Sequence, residues 1–336
     1  MTVVGTFGLS VRDQALEADV QAGLTAVEEG LLEATKSEVP FITEAAQHLV
    51  RAGGKRFRPL LVTLAAQFGD PYAPGIVPSA VVVELTHLAT LYHDDVMDEA
   101  DVRRGVESAN QRWGNSVAVL TGDFLFARAS HILADLGPDA VRIQAEAFER
   151  LVTGQILETA GPADGRDPVD HYLDVLSGKT GSLIAVACRF GAMMSGADET
   201  VVDVLTQYGE RLGVAFQLAD DVLDIASDSH ESGKTPGTDL REGIPTLPVL
   251  RLRERARLLG LPEDQALVDL LDSDLSDDAK LADAISRLRA HPALEQARRD
   301  TVRYAQEARA TLTPLPECEA KAALVELCDA VVHRAG

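Results

Sequence analysis

Two stretches of this chain, near residues 76–102 and 199–227, stay mostly apolar for longer than a strand runs, and each ends in a cluster of aspartates. Their apolar residues recur at spacings of three and four rather than alternating, which predicts helices. A long helix that is apolar nearly all round is a buried one. Both helices are therefore expected in the core, delivering carboxylates at their ends. Elsewhere aromatics make up only 4% of the chain, and long runs are rich in Ala, Leu, Glu and Arg, so strand signals are weak. Gly and Pro punctuate the sequence at Gly53-Gly54, 71–78, Gly137-Pro138, 161–168, 233–237, Pro262 and 314–316, leaving helical segments of about 12 to 30 residues. The expected fold class is all-α. No linker, repeat or low-complexity tract divides residues 1–336, so a single domain is expected, with the more charged, amphipathic sequence after about residue 250 forming a peripheral layer of helices.

Composition narrows the function. Hydrophobic residues are 46% and charged residues 25% of the 336, interleaved as in a globular protein. No apolar run approaches the roughly 18 to 20 residues that span a bilayer. The start, MTVVGTFGLSVRDQALEADV, has no basic, long-apolar and small-residue succession of a signal peptide. A cytoplasmic location is expected. Cys188, Cys318 and Cys328 are odd in number and lack metal-ligand spacing, which fits buried thiols in a reducing compartment. The net charge of −22 repels nucleic acid, so no nucleic-acid partner is expected. An anionic substrate would need a local basic pocket or bridging cations.

The carboxylates are arranged for cations. HDDVMDEADVRRG places Asp94, Asp95 and Asp98 at the end of the first apolar helix, and QLADDVLD gives Asp220, Asp221 and Asp224 the same spacing in the second. Members at i and i+4 share a helix face, where they repel each other, and a helix C-terminus disfavours negative charge further. The sequence accepts that cost twice. Grouped hard oxygen donors suit Mg²⁺, which keeps several waters and is shared between one or two carboxylates and substrate phosphates. The helical, apolar residues between the aspartates, with no central Gly, exclude an EF-hand.

The basic residues are local. RAGGKRFRP gathers Arg51, Lys55, Arg56 and Arg58 round a glycine pair before an apolar helix, the make-up of an anion site. Arg103 and Arg104 closely follow the first aspartate cluster, Lys179 and Thr180 lie in SGKTGS at a break between helices, and Lys234 follows the second cluster in SGKTPG. Neither GKT has the GxxxxGK spacing or a preceding strand, so a P-loop reading fails. His87 lies two turns before Asp94 on the same helix, as a core histidine or a phosphate donor.

In order along the chain, GGKRFRP, LYHDDVMDEADVRRG, GNSVAVLTGDFLFARA, SGKTGSL, FQLADDVLD and GKTPGTDLREGIPTLPVL resemble the motifs of the trans-isoprenyl diphosphate synthases, or polyprenyl synthetases, over most of the sequence. The resemblance implies the isoprenoid synthase fold, antiparallel helices round a central cavity, in a homodimer. It implies that Lys55, Arg58, His87 and Arg104 bind isopentenyl diphosphate, and that Arg103, Lys179 and Lys234 contact an allylic diphosphate. Thr180 and Gln217 resemble residues lining the reacting end, and the six aspartates would hold Mg²⁺ bridging to the allylic diphosphate. The implied reaction is growth of a linear all-trans polyprenyl diphosphate, with transient membrane association at product release. A terpene cyclase shares the fold but lacks the GGKRxRP site, and a non-catalytic synthase subunit typically loses aspartates. Both are disfavoured here.

The resemblance implies that the growing tail runs from the aspartates down beside the helix that carries them, and since small residues sit about 6 to 8 Å below Asp94 there, counting 1.5 Å per residue, a product of about six to ten isoprene units is expected, as for a quinone side chain. Those residues are Thr90 and Ala89, with Thr86 a further turn down. A short-chain synthase is the alternative.

Overall fold

The computed structural model describes residues 13–226 and 237–335. The protein is all-α, about 78% helical. Its helices run α1 (Gln14–Ala34), α2 (Pro40–Arg51), α3 (Phe57–Ala66), α4 (Ile76–Met97), α5 (Ala109–Trp113), α6 (Asn115–Leu136), α7 (Pro138–Ala160), α8 (Pro168–Leu176), α9 (Ser182–Met194), α10 (Glu199–Ala226), α11 (Thr238–Arg241), α12 (Leu247–Leu259), α13 (Pro262–Leu271), α14 (Asp278–Arg289), α15 (Pro292–Thr311) and α16 (Glu319–Ala335). The described strands are a minimal hairpin, β1 (Val102–Arg103) paired antiparallel with β2 (Val106–Glu107). Boundaries follow the sequence's punctuation. Asp167, for instance, accepts from the backbone N–H groups of Val169 and Asp170 while Pro168 opens α8, a side-chain cap followed by a residue whose missing N–H is not needed there.

The chain packs as two compact units, one of residues 1–149, 182–209 and 311–326, the other of 150–181, 210–310 and 327–336. In the first, α4 is the central helix, packed by α1, α3, α6 and α9. Val82, Val83, Leu85, Leu88, Ala89 and Tyr92 of α4 are fully buried, as its apolar sequence requires. A Cβ on Gly191 would stand 2.2 Å from the Val62 carbonyl oxygen; glycine is what lets α9 lie directly on the backbone of α3. The Tyr92 hydroxyl donates to the Ala45 carbonyl at 2.6 Å and accepts from the Leu49 N–H at 3.3 Å. That anchors α2 to the aspartate-bearing end of α4.

In the second unit α12 packs on α8 and α13, and α13 on α14. Its charged sequence makes ion pairs: buried Asp264 is met by Arg255 at 3.0 Å and His291 at 3.1 Å, and Arg251 meets Asp300 at 2.7 Å.

Of the described helices, α6 is long and apolar enough, by length and composition alone, to cross a membrane. Counting uninterrupted apolar runs did not anticipate it, because Asp123, Arg128 and Asp135 interrupt the run without lowering the mean hydropathy enough.

Candidate active site

The first unit contains a buried cluster of cations. Arg56 sits at φ +52°, a left-handed conformation uncommon for a residue with a Cβ. Its guanidinium is held on every side: Glu28 takes Nε and Nη2, Glu84 takes Nη1 at 3.0 Å, and the Val50 carbonyl takes Nη2 at 3.0 Å. Arg56 is therefore structural. Arg104 forms the turn of the β1–β2 hairpin with Gly105, both at positive φ (+54° and +77°), as a two-residue hairpin turn demands. Its Nη1 donates to the carbonyls of Leu49, at 3.1 Å, and Gly53, while Nη2 lies 3.5 Å from Glu84. A Cβ on Gly54 would meet this guanidinium at 2.9 Å. Gly54 thus admits Arg104 against the backbone of the GGKRFRP loop.

Arg58 and His87 stand differently. Arg58 Nε is buried with no hydrogen-bond partner, and burial pushes its pKa down to about 10, with Glu84 opposing and Arg104 reinforcing the shift. Burial first, then the charges of Arg58, Arg104, Arg56 and Arg103, holds the His87 imidazole well below the usual histidine range. It is neutral at pH 7, a hydrogen-bond donor without charge. Exposed Lys55 completes the group. Buried Arg56 and the half-buried Arg58 and Arg104 are answered by two carboxylates, Glu84 and the half-exposed Glu28. The balance favours an anion.

Glu84, which the sequence reading did not single out, ties Arg56 and Arg104 together. The signal was present: one acid inside the apolar run VVVELTHL, a turn before His87. Glu84→Ala is expected to cost about 3 to 5 kcal/mol of stability, since it leaves buried Arg56 with Glu28 alone and the half-buried Arg104 with no carboxylate. Urea unfolding of the purified variant measures this, and a loss below about 1 kcal/mol would contradict the role.

The same hairpin aims Arg103 the other way, at the aspartates. Its Nε donates to Asp95 Oδ1 at 2.5 Å and its Nη2 lies 3.6 Å from Asp98. Asp95 is fully buried and its Oδ2 has no partner. Asp94 is half-buried, and Asp98, the C-cap residue of α4, is 55% exposed. Lower on α4, Thr90 is half-buried, whereas Thr86 and Ala89 are buried, Thr86 accepting from Gln144 Nε2 at 2.9 Å.

In the second unit Asp220 and Asp224 are half-buried on α10. Buried Asp221 accepts from the Tyr172 hydroxyl and from the Leu247 backbone N–H. Burial pushes both the Asp221 carboxyl and the Tyr172 phenol well up from their ordinary values; a bound cation would reverse the shift at the carboxyl. Lys179 and Thr180 do not lie at a break. They belong to a π-helical turn, Ser177–Gly181, that joins α8 to α9. Such turns widen a helix by one residue and recur at functional sites. A Cβ on Gly178 would lie 2.8 Å from the Arg150 carbonyl, so α7 and the π-turn touch through backbone. Ser177 donates to Glu210 at 2.5 Å, and Glu210 also holds Arg150. Lys179 Nζ meets Glu158 at 2.7 Å. Gln217 is half-buried on α10. Lys234 lies outside the described residues.

Among the described residues no three Asp, Glu, His or Cys side chains enclose a metal position. Asp94 and Asp98 nevertheless present hard oxygens one turn apart, and Asp95 brings an oxygen that lacks a donor. That donor set fits Mg²⁺, which takes one or two carboxylates and completes its shell with water and phosphate.

Known proteins are similar to this chain in sequence and fold. The nonaprenyl diphosphate synthase of Mycobacterium tuberculosis is 46% identical over 331 residues, 98% of this chain and 97% of its own. The crystal structure of geranylgeranyl pyrophosphate synthase from Corynebacterium glutamicum, complexed with calcium and isoprenyl diphosphate, superposes with a TM-score of 0.86 at 45% identity, covering 96% of this chain and 98% of that one. A decaprenyl diphosphate synthase from Rhodobacter capsulatus gives 0.86 at 35% identity, with 96% and 99% covered. Residues 39–288 match the polyprenyl synthetase family, and the chain belongs to that family.

Proposed function

We propose that this prenyltransferase joins isopentenyl diphosphate to an allylic diphosphate and builds a linear all-trans polyprenyl diphosphate. One observation carries the reading: His87 and Asp94 share a face of α4 seven residues apart, about 10 Å along the axis. The first belongs to a cationic cluster with unmet donor capacity and the second to a carboxylate cluster. Two diphosphates, one held by cations and one through metal, suit a reaction between two such substrates.

In this reading Lys55, Arg58 and His87 bind isopentenyl diphosphate, while Arg104 shapes their loop through the Leu49 and Gly53 carbonyls. Arg103, Lys179 and Lys234 bind the allylic diphosphate, with Thr180 and Gln217 beside its reacting end. The aspartates at 94, 95, 98, 220, 221 and 224 are the Mg²⁺ group, Asp95 and Asp221 chiefly by holding Arg103 and Tyr172. Bound Mg²⁺ supplies charge neutralisation at the departing diphosphate. Arg103 and Lys179 add fixed positive charge where the allylic C–O bond breaks, its electron pair leaving with oxygen. The alkene, positioned through its own diphosphate, attacks the resulting allylic cation. The proton then lost passes to the released diphosphate. Apolar walls keep water from the cation.

A single domain is supported by the family match across residues 39–288, which spans both compact units. Homodimer formation is supported by exposed apolar side chains at Val119 and Leu120 of α6, and at Ile156 of α7. We place the protein in the cytoplasm, touching membrane transiently as product leaves. Against a terpene cyclase or a non-catalytic subunit stand the built cation cluster and the six aspartates.

The product is about six to ten isoprene units long, because the half-buried residue one turn, or about 6 Å, below Asp94 is Thr90 rather than an aromatic. Thr90→Phe is expected to shorten the product to about two to four units with the first condensation retained, and Ala89→Phe to act similarly while overpacking the core. Reversed-phase chromatography of dephosphorylated products reads the length. Short wild-type products, or unchanged length in both variants, would contradict the tunnel.

A further inference from the structure

The second unit holds a cavity of about 590 Å³ lined by α8, α12 and the segments before them, within the size range, about 300 to 1,000 Å³, of small-ligand pockets. Its walls are mainly apolar, with Pro162, Val169, Val175, Ile244, Pro245 and Leu250 among them. Neither Asp220, Asp224, Thr180 nor Gln217 lines it. Charged groups also line it, and most are already engaged. Glu158 pairs with Lys179, Glu254 with Arg251, Arg166 with Asp174 and Arg253 with Asp272, while Asp167 caps α8. Exposed Arg257 is the lining cation with no ion pair among the described residues. An apolar cavity edged by one uncommitted guanidinium fits a chain-like apolar ligand with an anionic head.

Two lining residues reach the proposed chemistry. Tyr172 donates its hydroxyl to Asp221, and Glu158 holds Lys179 at 2.7 Å. A ligand that moves Tyr172 or Glu158 therefore disturbs a carboxylate of the aspartate group and a diphosphate-binding lysine. We propose that this cavity is a regulatory site for the enzyme's own prenyl diphosphate product, and that filling it lowers turnover through Tyr172 and Glu158. The inference rests on the prenyltransferase reading for the identity of the ligand.

The test uses the full-length enzyme and a long-chain all-trans prenyl phosphonate, an anionic product mimic whose C–P bond does not break to an allylic cation. Calorimetric titration and initial rates at several allylic diphosphate concentrations are compared in wild type, Arg257→Glu and Pro162→Trp. Arg257 and Pro162 are exposed, so neither change should unsettle the core. The expected result is inhibition that saturating allylic substrate does not relieve, and its weakening about tenfold or more in both variants, a loss of one charge-assisted contact or of cavity space, with uninhibited turnover unchanged. Inhibition that is wholly competitive and identical in all three proteins would overturn the proposal. So would phosphonate binding that the variants leave untouched. Absence of prenyl transfer in uninhibited wild type would instead refute the functional reading, which separates the two failures.

Discussion

Asp94→Ala and Asp220→Ala are each expected to lower turnover on the order of a thousandfold, the several kcal/mol that electrostatic stabilisation of a departing diphosphate contributes. Asp94 stands half-buried at the end of α4 beside the Arg103–Asp95 pair, and Asp220 half-buried beside Asp221, which is tied to Tyr172. Neither half-buried carboxylate is a core residue, so far-ultraviolet circular dichroism and the urea midpoint should stay near wild type. Asp95→Ala is expected to differ, because it removes the acceptor of Arg103 and so combines lost activity with lost stability. Turnover within a few-fold of wild type in Asp94→Ala or Asp220→Ala would remove these aspartates from the chemistry.

The basic residues should divide by substrate. Lys55→Ala and Arg58→Ala are expected to raise the apparent KM for isopentenyl diphosphate about 10- to 100-fold, the loss of one charge-assisted hydrogen bond worth about 1.5 to 3 kcal/mol. Lys179 sits on the π-turn with its ammonium held by Glu158 of α7, and Lys179→Ala should chiefly lower turnover with the allylic substrate. Arg56→Ala offers a contrast. Its guanidinium is saturated by Glu28, Glu84 and Val50, so its loss should appear as instability rather than as a selective KM effect. Steady-state kinetics with each substrate varied in turn decides this, and equal effects on both substrates from every variant would refute the division.

The helices and the chemistry-bearing motifs were legible in the sequence because both rest on short-range patterns. Apolar spacing of three and four marked α4 and α10, Gly and Pro marked their ends, and carboxylates at i and i+4 marked the residues proposed to hold cations. What stayed hidden depends on contacts between distant residues. Arg56 and Arg58 look alike in GGKRFRP, and only the meeting of Glu28 and Glu84 with Arg56 shows that one is structural and the other has unmet donor capacity. Arg103 and Arg104 are neighbours in sequence, yet a hairpin turn at positive φ sends them to opposite partners. Tyr172 carries no local signal, since its meaning lies in Asp221, 49 residues away. The π-turn at Ser177–Gly181 read as a break because glycines there signal a loop, whereas here they let helix backbones touch.

The most direct test incubates the purified protein with labelled isopentenyl diphosphate and farnesyl diphosphate, with Mg²⁺ or with excess chelator, and separates the dephosphorylated products by chain length. The account predicts Mg²⁺-dependent incorporation of label into linear polyprenols of about six to ten units, the length allowed by a small residue one turn below Asp94. Label remaining in isopentenyl diphosphate, a cyclic hydrocarbon product, or full activity in chelator would contradict it.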